Sequence, residues 1–384
     1  MNDELGVMSE KMSILERTKL FALRIIPLYS SLPKAVEAQV IGNSSFRIHH
    51  SSFLHSLGIL VLLTVAVACD PQQDKMVLDE VTVQLKWVHQ AQFAGFYVAQ
   101  EKGYYARENI KVSFLEGGPG IDNAEVLLSG RARFAVTTPE DVLISRSKGA
   151  HLQAIAAIYR RSAVVFLAMT DSRITRPKDF QGKTVASVSE GGALRDFEFQ
   201  FHALVKKLGL DLSKINIVAY DPKYTAFMNR EVDVTAAFST GGLILLRQKG
   251  LKLNLIWPGD YGVHFYSDTL ITTDETISKS PDLVARFLRA SLKGWQDAIQ
   301  DYEGAVAITL KYARLKDPRF QTAMMEGLLP LVHTGEDHIG WMRAEEWQGM
   351  YDVLLDQKIL DVPFDVGHAY TMRFLEDVYG GRAK

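Results

Sequence analysis

The stretch VTVQLKWVHQAQFAGFYVAQEKGYYA, residues 81–106, changes from one hydrophobic period to another along its length. Residues 81–87 alternate apolar and polar side chains, as a half-buried strand does, whereas residues 93–106 have the spacing of a helix with Gly103 near its end. A strand followed directly by a helix is the repeating unit of α/β folds. The stretch therefore predicts an α/β protein.

The same alternation continues downstream. Strands are predicted at 112–115, 134–136, 152–159 and 164–169, and helices at 123–128 and 140–147. Short apolar runs that alternate with helical patterns indicate a mainly parallel sheet covered by helices.

A second α/β unit follows, and the chain then returns to the first. Its strands are predicted at 185–188, 215–220 and 234–238 and its helices at 193–208, 224–229 and 243–249, before a returning strand at 269–273. A helix is predicted to start at Ser280-Pro281-Asp282 with Ser280 as its cap, and most of the remaining chain reads as helix, including 347–355. We expect lobe 1 to comprise 76–173 and 268–384, lobe 2 to comprise 174–267, and a ligand to bind in the cleft between them.

Composition excludes several classes of function. Of 384 residues, 47% are hydrophobic and 23% charged, and 43 Lys and Arg against 45 Asp and Glu give a formal net charge of −2. This is the balance of a folded globular protein, without the basic field that binds nucleic acid. The one cysteine, Cys69, cannot form an internal disulfide or a thiolate metal cluster.

The segment before Cys69 has the features of an export signal. Residues 57–68 are uncharged, too short for the roughly 20 residues of a membrane span, and preceded by Arg47. Ala66-Val67-Ala68-Cys69 resembles the lipobox of bacterial lipoproteins, although Ala66 stands where Leu is usual, and this resemblance implies lipidation of Cys69. The alternative is that Cys69 is only a small residue at the end of a buried segment.

Residues 1–46 do not fit the start of such a signal, because their acidic residues have the wrong sign. We expect either a true translation start near Val40 or Ile41 or a genuine pre-segment. Residues 1–69 are therefore assigned to a signal and lipoprotein segment outside the folded domain.

The connection between the first strand and its helix contains the first candidate ligand-binding residues. Trp87 and Phe93 offer planar faces for stacking, and Gln90 and Gln92 offer donors and acceptors to the edge of a flat ring. The alternative is that both aromatic residues belong to the core and both amides face solvent.

Two further candidate segments begin helices. Thr137 and Thr138 precede Pro139 and can bind a ligand oxygen, although capping the helix is an equally simple role. Ser189 and Gly191 lie where the long helix of the second unit starts, so that free N–H groups there can bind a carbonyl or an anion.

The last candidates are Ser239, at the end of a predicted strand, and a loop rich in aromatic residues. That loop, DYGVHFY at 260–266, contains the candidates Tyr261 and His264. It predicts either a wall of the ligand site or a loop that packs against the hinge. The sequence has no GxSxG, HExxH or Walker A motif, so we expect no catalytic residue, metal or cofactor.

Short matches in a fixed order identify a family resemblance. They are LKW at 85–87, GFYVAQ at 95–100, KGYY at 102–105, FAVT at 134–137, FQGKTV at 180–185 and DYG at 260–262. Over about residues 79–363 the chain resembles periplasmic binding proteins related to fungal thiamine-pyrimidine synthases, a class that includes formylaminopyrimidine-, riboflavin-, taurine- and alkanesulfonate-binding lipoproteins.

This resemblance implies a type II periplasmic-binding-protein fold and a solute-binding lipoprotein of an ABC importer. Its expected partners are a small heterocycle and the permease and ATPase subunits, with no nucleic acid. Its expected location is the extracytoplasmic face of the cell membrane, held by the lipid anchor only. A competing class is an extracellular sensor module that signals through a partner.

Departures from the family pattern bear on the ligand. Pyrimidine-binding relatives typically read Asn-x-Asn-His-x-Gly after the Trp, where this chain has QAQFAG at 90–95, with Phe93 in place of the histidine. The fungal synthases also carry a cysteine cluster for iron, which has no counterpart here, so we expect a binding protein and not an enzyme. A lost polar group and a gained aromatic one favour a larger flat ligand, with riboflavin first, a thiamine pyrimidine precursor second and a sulfonate third.

Overall fold

The computed structural model describes residues 78–118, 120–188 and 195–380. The predicted signal and lipoprotein segment 1–69 with Cys69, and the candidates Ser189 and Gly191, lie outside these residues. Among the described residues, no helix is both long and apolar enough to span a membrane.

Ten strands are present in the described part of the chain. In chain order they are β1 Asp79–Gln84, β2 Ile110–Leu115, β3 Phe134–Thr137, β4 Leu152–Ala157, β5 Val164–Met169, β6 Thr184–Val188, β7 Asn216–Ala219, β8 Val234–Phe238, β9 Leu253–Ile256 and β10 Thr269–Thr273. They form two five-stranded mixed sheets with the orders β2-β1-β3-β10-β4 and β7-β6-β8-β5-β9. Helices accompany both sheets, and the predicted two-lobed α/β fold is confirmed.

The two sheets have the same strand arrangement, and each contains one antiparallel strand that follows directly after the chain has crossed from the other sheet. β10 pairs antiparallel with β3 and β4 in the first sheet, and β5 pairs antiparallel with β8 and β9 in the second. The chain therefore passes to the second sheet between β4 and β5 and returns between β9 and β10. The boundary predicted at residue 173 placed β5 in the first lobe, because an apolar run carries no information about the sheet in which it pairs.

Thirteen α-helices occur among the described residues. They are α1 Ala94–Glu101, α2 Tyr104–Arg107, α3 Asn123–Leu128, α4 Pro139–Ser147, α5 Arg195–Lys207, α6 Thr225–Met228, α7 Gly242–Gln248, α8 Asp274–Lys279, α9 Pro281–Gln300, α10 Tyr302–Tyr312, α11 Pro318–Val332, α12 Ala344–Asp356 and α13 Arg373–Tyr379. The helix predicted at 93–106 is divided into α1 and α2, because Gly103 adopts the left-handed conformation with a φ of 70°.

Ser280 occupies the N-cap position of α9, as predicted, but the predicted capping by its side chain is wrong. Its side chain makes no capping hydrogen bond, and its backbone N–H donates to the Thr276 carbonyl oxygen at 2.9 Å. Ser280 ends α8 as well as preceding α9, so its backbone conformation is set by the turn between two consecutive helices. Pro281 does occupy the first turn of α9, as predicted.

The two segments that cross between the lobes are joined to each other. The Tyr159 N–H donates to the Asp268 carbonyl oxygen at 3.0 Å, and the Ser267 N–H donates to the Tyr159 carbonyl oxygen at 3.0 Å. Two paired crossing segments constrain how one lobe can rotate relative to the other, as expected of a hinge.

Candidate ligand-binding site

A cavity of about 250 Å³ lies between the two sheets, beside the crossing segments. The residues after β1 line it from the first lobe, and the ends of β7 and β8 with the start of α7 line it from the second. Tyr159 and Asp268 of the crossing segments form part of its wall. The carboxyl ends of strands in two lobes therefore face one shared cleft, the usual place for a ligand in α/β proteins.

Six aromatic side chains line the cavity from both lobes and the first crossing segment. They are Trp87, Tyr159, Tyr220, Tyr224, Phe238 and Phe320. The Tyr220 hydroxyl donates to the Tyr224 hydroxyl at 2.8 Å, which holds these two rings in place. Such a lining suits a flat aromatic guest, because rings stack favourably on rings.

A chain of side-chain hydrogen bonds runs along the first-lobe wall. The Gln90 Nε2 amide donates to Gln92 Oε1 at 2.6 Å, and the Gln92 Nε2 amide donates to Asp268 Oδ2 at 2.7 Å. The Tyr159 hydroxyl donates to the Gln92 backbone carbonyl at 3.2 Å. The two amides are thus positioned by the second crossing segment.

Lys86 is a buried cation at the same wall. Its Nζ lies 3.4 Å from Asp196 Oδ2 of α5 in the second lobe and 3.7 Å from Asp268 Oδ1. Burial alone would lower the pKa of Lys86, but Asp196 and Asp268 outweigh that effect and raise the pKa above its usual range. The ammonium therefore stays charged and is neutralised by carboxylates.

A third acid, Glu140, lies near Lys86 and Asp196. Glu140 is buried in the first turn of α4, and neither of its carboxyl oxygens has a hydrogen-bond partner among the described residues. Burial, and then the nearby Asp196 carboxylate, raise the pKa of Glu140 well above its ordinary value. Burial likewise raises the pKa of Asp196 to about 6, against the opposing effect of Lys86.

The structure brings Trp87, Gln90 and Gln92 together at the cavity. It places Phe93 elsewhere: this side chain is 0% exposed and belongs to the hydrophobic core of the first lobe. The difference arises because residues 91–93 form a 3-10 turn leading into α1, and this turn directs Phe93 inward.

Thr137, Thr138 and Ser239 are buried near the cavity without lining it. Thr137 Oγ1 donates to Asp141 Oδ2 at 2.7 Å, and Thr138 Oγ1 accepts from the Asp141 backbone N–H at 3.1 Å. Both hydroxyls thus serve the start of α4. The Ser239 backbone N–H donates to the Ala163 carbonyl oxygen at 2.8 Å, and the next residue, Thr240, reaches the cavity wall.

Tyr261 and His264 lie away from the aromatic cavity. Residues 258–261 form a 3-10 turn that packs near α5 and β5, and His264 lines a separate cavity of about 780 Å³ on the crossing segments. Charged side chains line this larger space and are already paired: Arg161 with Glu336 at 2.9 Å within the lining, and Arg160 with the buried Asp337 outside it at 2.5 Å.

Several residues that line the aromatic cavity were not predicted from the sequence. Lys86 gave no signal, because it occupies a polar position of the alternation at residues 81–87 and was expected to face solvent. Tyr220 and Tyr224 flank a predicted strand end, which is a weak signal. Phe320 had none: it reaches the cavity because Gln321 of α11 accepts the Ala91 backbone N–H at 2.8 Å and holds the helix against the turn at 91–93.

Two α/β lobes, two crossing segments and a cavity between them define the periplasmic-binding-protein fold. Consistent with this, the structure aligns with the periplasmic aliphatic sulphonate binding protein SsuA from Escherichia coli at a TM-score of 0.63 and 16% identity, covering 76% of this chain and 91% of that one. At this identity the likeness establishes the fold alone, and it confirms the predicted fold class.

The sequence profile of the NMT1/THI5-like family matches residues 90–305, and the chain belongs to that family. It is 25% identical over 346 residues to the riboflavin-binding protein RibY of Chloroflexus aurantiacus, covering 83% of this chain and 97% of that protein. It is also 25% identical over 325 residues to the formylaminopyrimidine-binding protein of Halalkalibacterium halodurans, covering 82% and 97%. Proteins named 4-amino-5-hydroxymethyl-2-methylpyrimidine phosphate synthase match as well.

Proposed function

We propose that this protein is the solute-binding component of an ABC importer and captures a flat, uncharged aromatic heterocycle, riboflavin first among the candidates. The observation that carries the proposal is the aromatic lining of the interlobe cavity. Rings from both lobes can enclose a planar guest only when the lobes are close together, so the guest favours the closed state that a permease would recognise.

The charges around the cavity support an uncharged ligand. Lys86 is the only Lys or Arg among the described residues that line it, and Asp196 and Asp268 already neutralise this ammonium. A sulfonate would have to compete with two carboxylates for that single cation, which makes a sulfonate the least favoured of the three ligand classes.

The formylaminopyrimidine class is the second candidate. Asp268 and Gln90 offer acceptor oxygens at the wall, and an aminopyrimidine presents N–H donors. The likeness to RibY and to the formylaminopyrimidine-binding protein, each at 25% identity, supports both ligands without ranking them.

Delivery would take place outside the cytoplasm, with the protein held on the membrane by lipid on Cys69 and the ligand passed unchanged to the permease, which works together with ATPase subunits. This part of the proposal is tested by Cys69→Ala. We expect the variant to leave the membrane fraction and appear in the soluble fraction while ligand affinity is retained. A variant that stays with the membrane would exclude the lipid anchor.

The ligand is tested by titrating the purified protein with riboflavin, formylaminopyrimidine and an alkanesulfonate, using calorimetry and, for riboflavin, flavin fluorescence. We expect riboflavin to bind and its fluorescence to be quenched. Trp87→Ala should weaken that binding about fivefold or more, since a stacked aromatic pair contributes about 1 kcal/mol beyond its buried area.

Trp257→Ala is the matched control, because it removes the same side chain from the wall of the other cavity. It should leave the affinity for riboflavin unchanged. Binding of the sulfonate alone, or equal effects of the two tryptophan variants, would contradict the proposal.

A further inference from the structure

We infer that Asp268 sets the direction of the hydrogen bonds through Gln92 and Gln90, and thereby selects ligands that present an N–H donor to Gln90. This makes Asp268 a positioning residue for specificity. The inference rests on the proposed function, because it concerns the ligand of the same cavity.

The direction follows from the chemistry of a carboxylate. Burial raises the pKa of Asp268, whereas Lys86 and the hydrogen bond from Gln92 oppose that effect and favour the carboxylate. As a carboxylate Asp268 can only accept, so the side chain of Gln92 turns its Nε2 amide toward it, at 2.7 Å. The oxygen of Gln92 then faces Gln90, which must in turn offer its own Nε2 amide, at 2.6 Å. One carboxylate thus fixes the orientation of two amides that would otherwise be free to turn over.

Gln90 is the last residue in this series of hydrogen bonds and lies at the cavity wall. Its Oε1 has no hydrogen-bond partner among the described residues and remains available as an acceptor. A ligand edge that meets this oxygen must donate. The imide N–H of a flavin and the amino group of an aminopyrimidine can both donate to this oxygen. Each ligand also has an acceptor atom next to that donor, which can accept the second hydrogen of the Gln90 Nε2 amide.

Lys86 determines how an asparagine at position 268 would be oriented. In Asp268→Asn the ammonium of Lys86, which faces Oδ1 of Asp268, keeps an oxygen on its side. The new amide nitrogen is then directed at Gln92, whose side chain must turn over to present its oxygen. Gln90 must turn over as well, so the wall would offer the ligand a donor in place of an acceptor.

The experiment compares the affinities for riboflavin and N3-methylriboflavin, which lacks the imide N–H, in the full protein. The wild type should prefer riboflavin by about tenfold or more, since one hydrogen bond to a buried acceptor is lost with the methyl derivative. In Asp268→Asn this preference should fall to about one or reverse. Formylaminopyrimidine and its 4-dimethylamino analogue form the equivalent pair if the pyrimidine is the ligand.

Asp196→Asn is the matched control. It removes the other carboxylate beside Lys86 but leaves the contact between Gln92 and Asp268 in place. Both affinities should change together and their ratio should stay that of the wild type. Gln92→Met provides a second test should Asp268→Asn fail to fold. It removes the hydrogen bonds that link Asp268 to Gln90, so the Gln90 amide can turn either way. The ratio of the affinities for riboflavin and N3-methylriboflavin should then move toward one.

The outcomes separate the inference from the proposed function. If riboflavin binds the wild type and depends on Trp87, but Asp268→Asn and Gln92→Met keep the wild-type ratio, the role of Asp268 is overturned and the proposed function stands. If neither heterocycle binds the wild type, the proposed function fails and the inference fails with it.

Discussion

Glu140 shows how burial and neighbouring charge act on a single residue. Its carboxyl group is buried beside Asp196 and Lys86, and its pKa lies well above the ordinary value. The folded state therefore retains a proton that the unfolded chain releases at lower pH. As the pH rises above the ordinary carboxyl range, this difference reduces the free energy of unfolding.

We predict that Glu140→Gln removes this pH dependence. Between about pH 5 and about pH 8 the wild type should lose about 1 to 3 kcal/mol more of its free energy of unfolding than the variant does. Urea unfolding at a series of pH values measures this, with the exposed Glu125→Gln on α3 as the control that should follow the wild type. Parallel curves for wild type and Glu140→Gln would show that Glu140 is ionised in both states.

At the scale of elements, α1 and α9 approach each other closely because glycines occupy their contact. A Cβ atom at Gly95 would overlap the indole ring of Trp295, and one at Gly294 would overlap the backbone of α1. Trp295 is fully buried, so its ring has no free space into which it could move. This contact supports α1, the helix that follows the turn at 91–93.

We predict that Gly95→Ala lowers the free energy of unfolding by about 1 to 3 kcal/mol, because the two helices must separate. Gly349→Ala is the control: it places the same methyl group in the exposed face of α12, where no atom lies within 4 Å. There the better helix propensity of alanine should stabilise the protein by about 0.5 to 1 kcal/mol. Chemical denaturation distinguishes the two, and a stable Gly95→Ala would mean that α1 can shift without cost.

For the whole molecule, the contact between Lys86 and Asp196 joins the lobes across the cavity. The partners are separated by 3.4 Å, and their side chains are 6% and 5% exposed. A pair buried this deeply exists only while the lobes are together, so it contributes to the closed state together with any ligand.

We predict that Asp196→Asn opens the ligand-free protein. Its radius of gyration by small-angle X-ray scattering should exceed that of the wild type, and saturating ligand should restore the wild-type value. Asp171→Asn is the control, because it breaks an exposed ion pair with Arg230 inside the second lobe and should leave the scattering unchanged. Identical scattering of Asp196→Asn and wild type would show that the ion pair does not hold the lobes.

The sequence by itself determined the type and order of most elements, because the period of the apolar residues is a local property. β5, β8, β10 and α3 have the predicted limits, and most others differ by a few residues at their ends. It also placed Trp87, Gln90 and Gln92 correctly at a strand end. β9 was not predicted, since its four residues are only partly apolar and carry no clear period.

Only the tertiary structure decided which sheet each crossing strand joins, and which side chains meet at the cavity. β5 pairs in the second sheet, Phe93 points into the core, and Phe320 reaches the cavity from a helix more than two hundred positions downstream of the turn at 91–93. The same holds for Lys86, whose two carboxylate partners come from α5 and the second crossing segment. Strand pairing and side-chain contacts join residues that are distant along the chain, and the local pattern of apolar residues does not specify which distant residues meet.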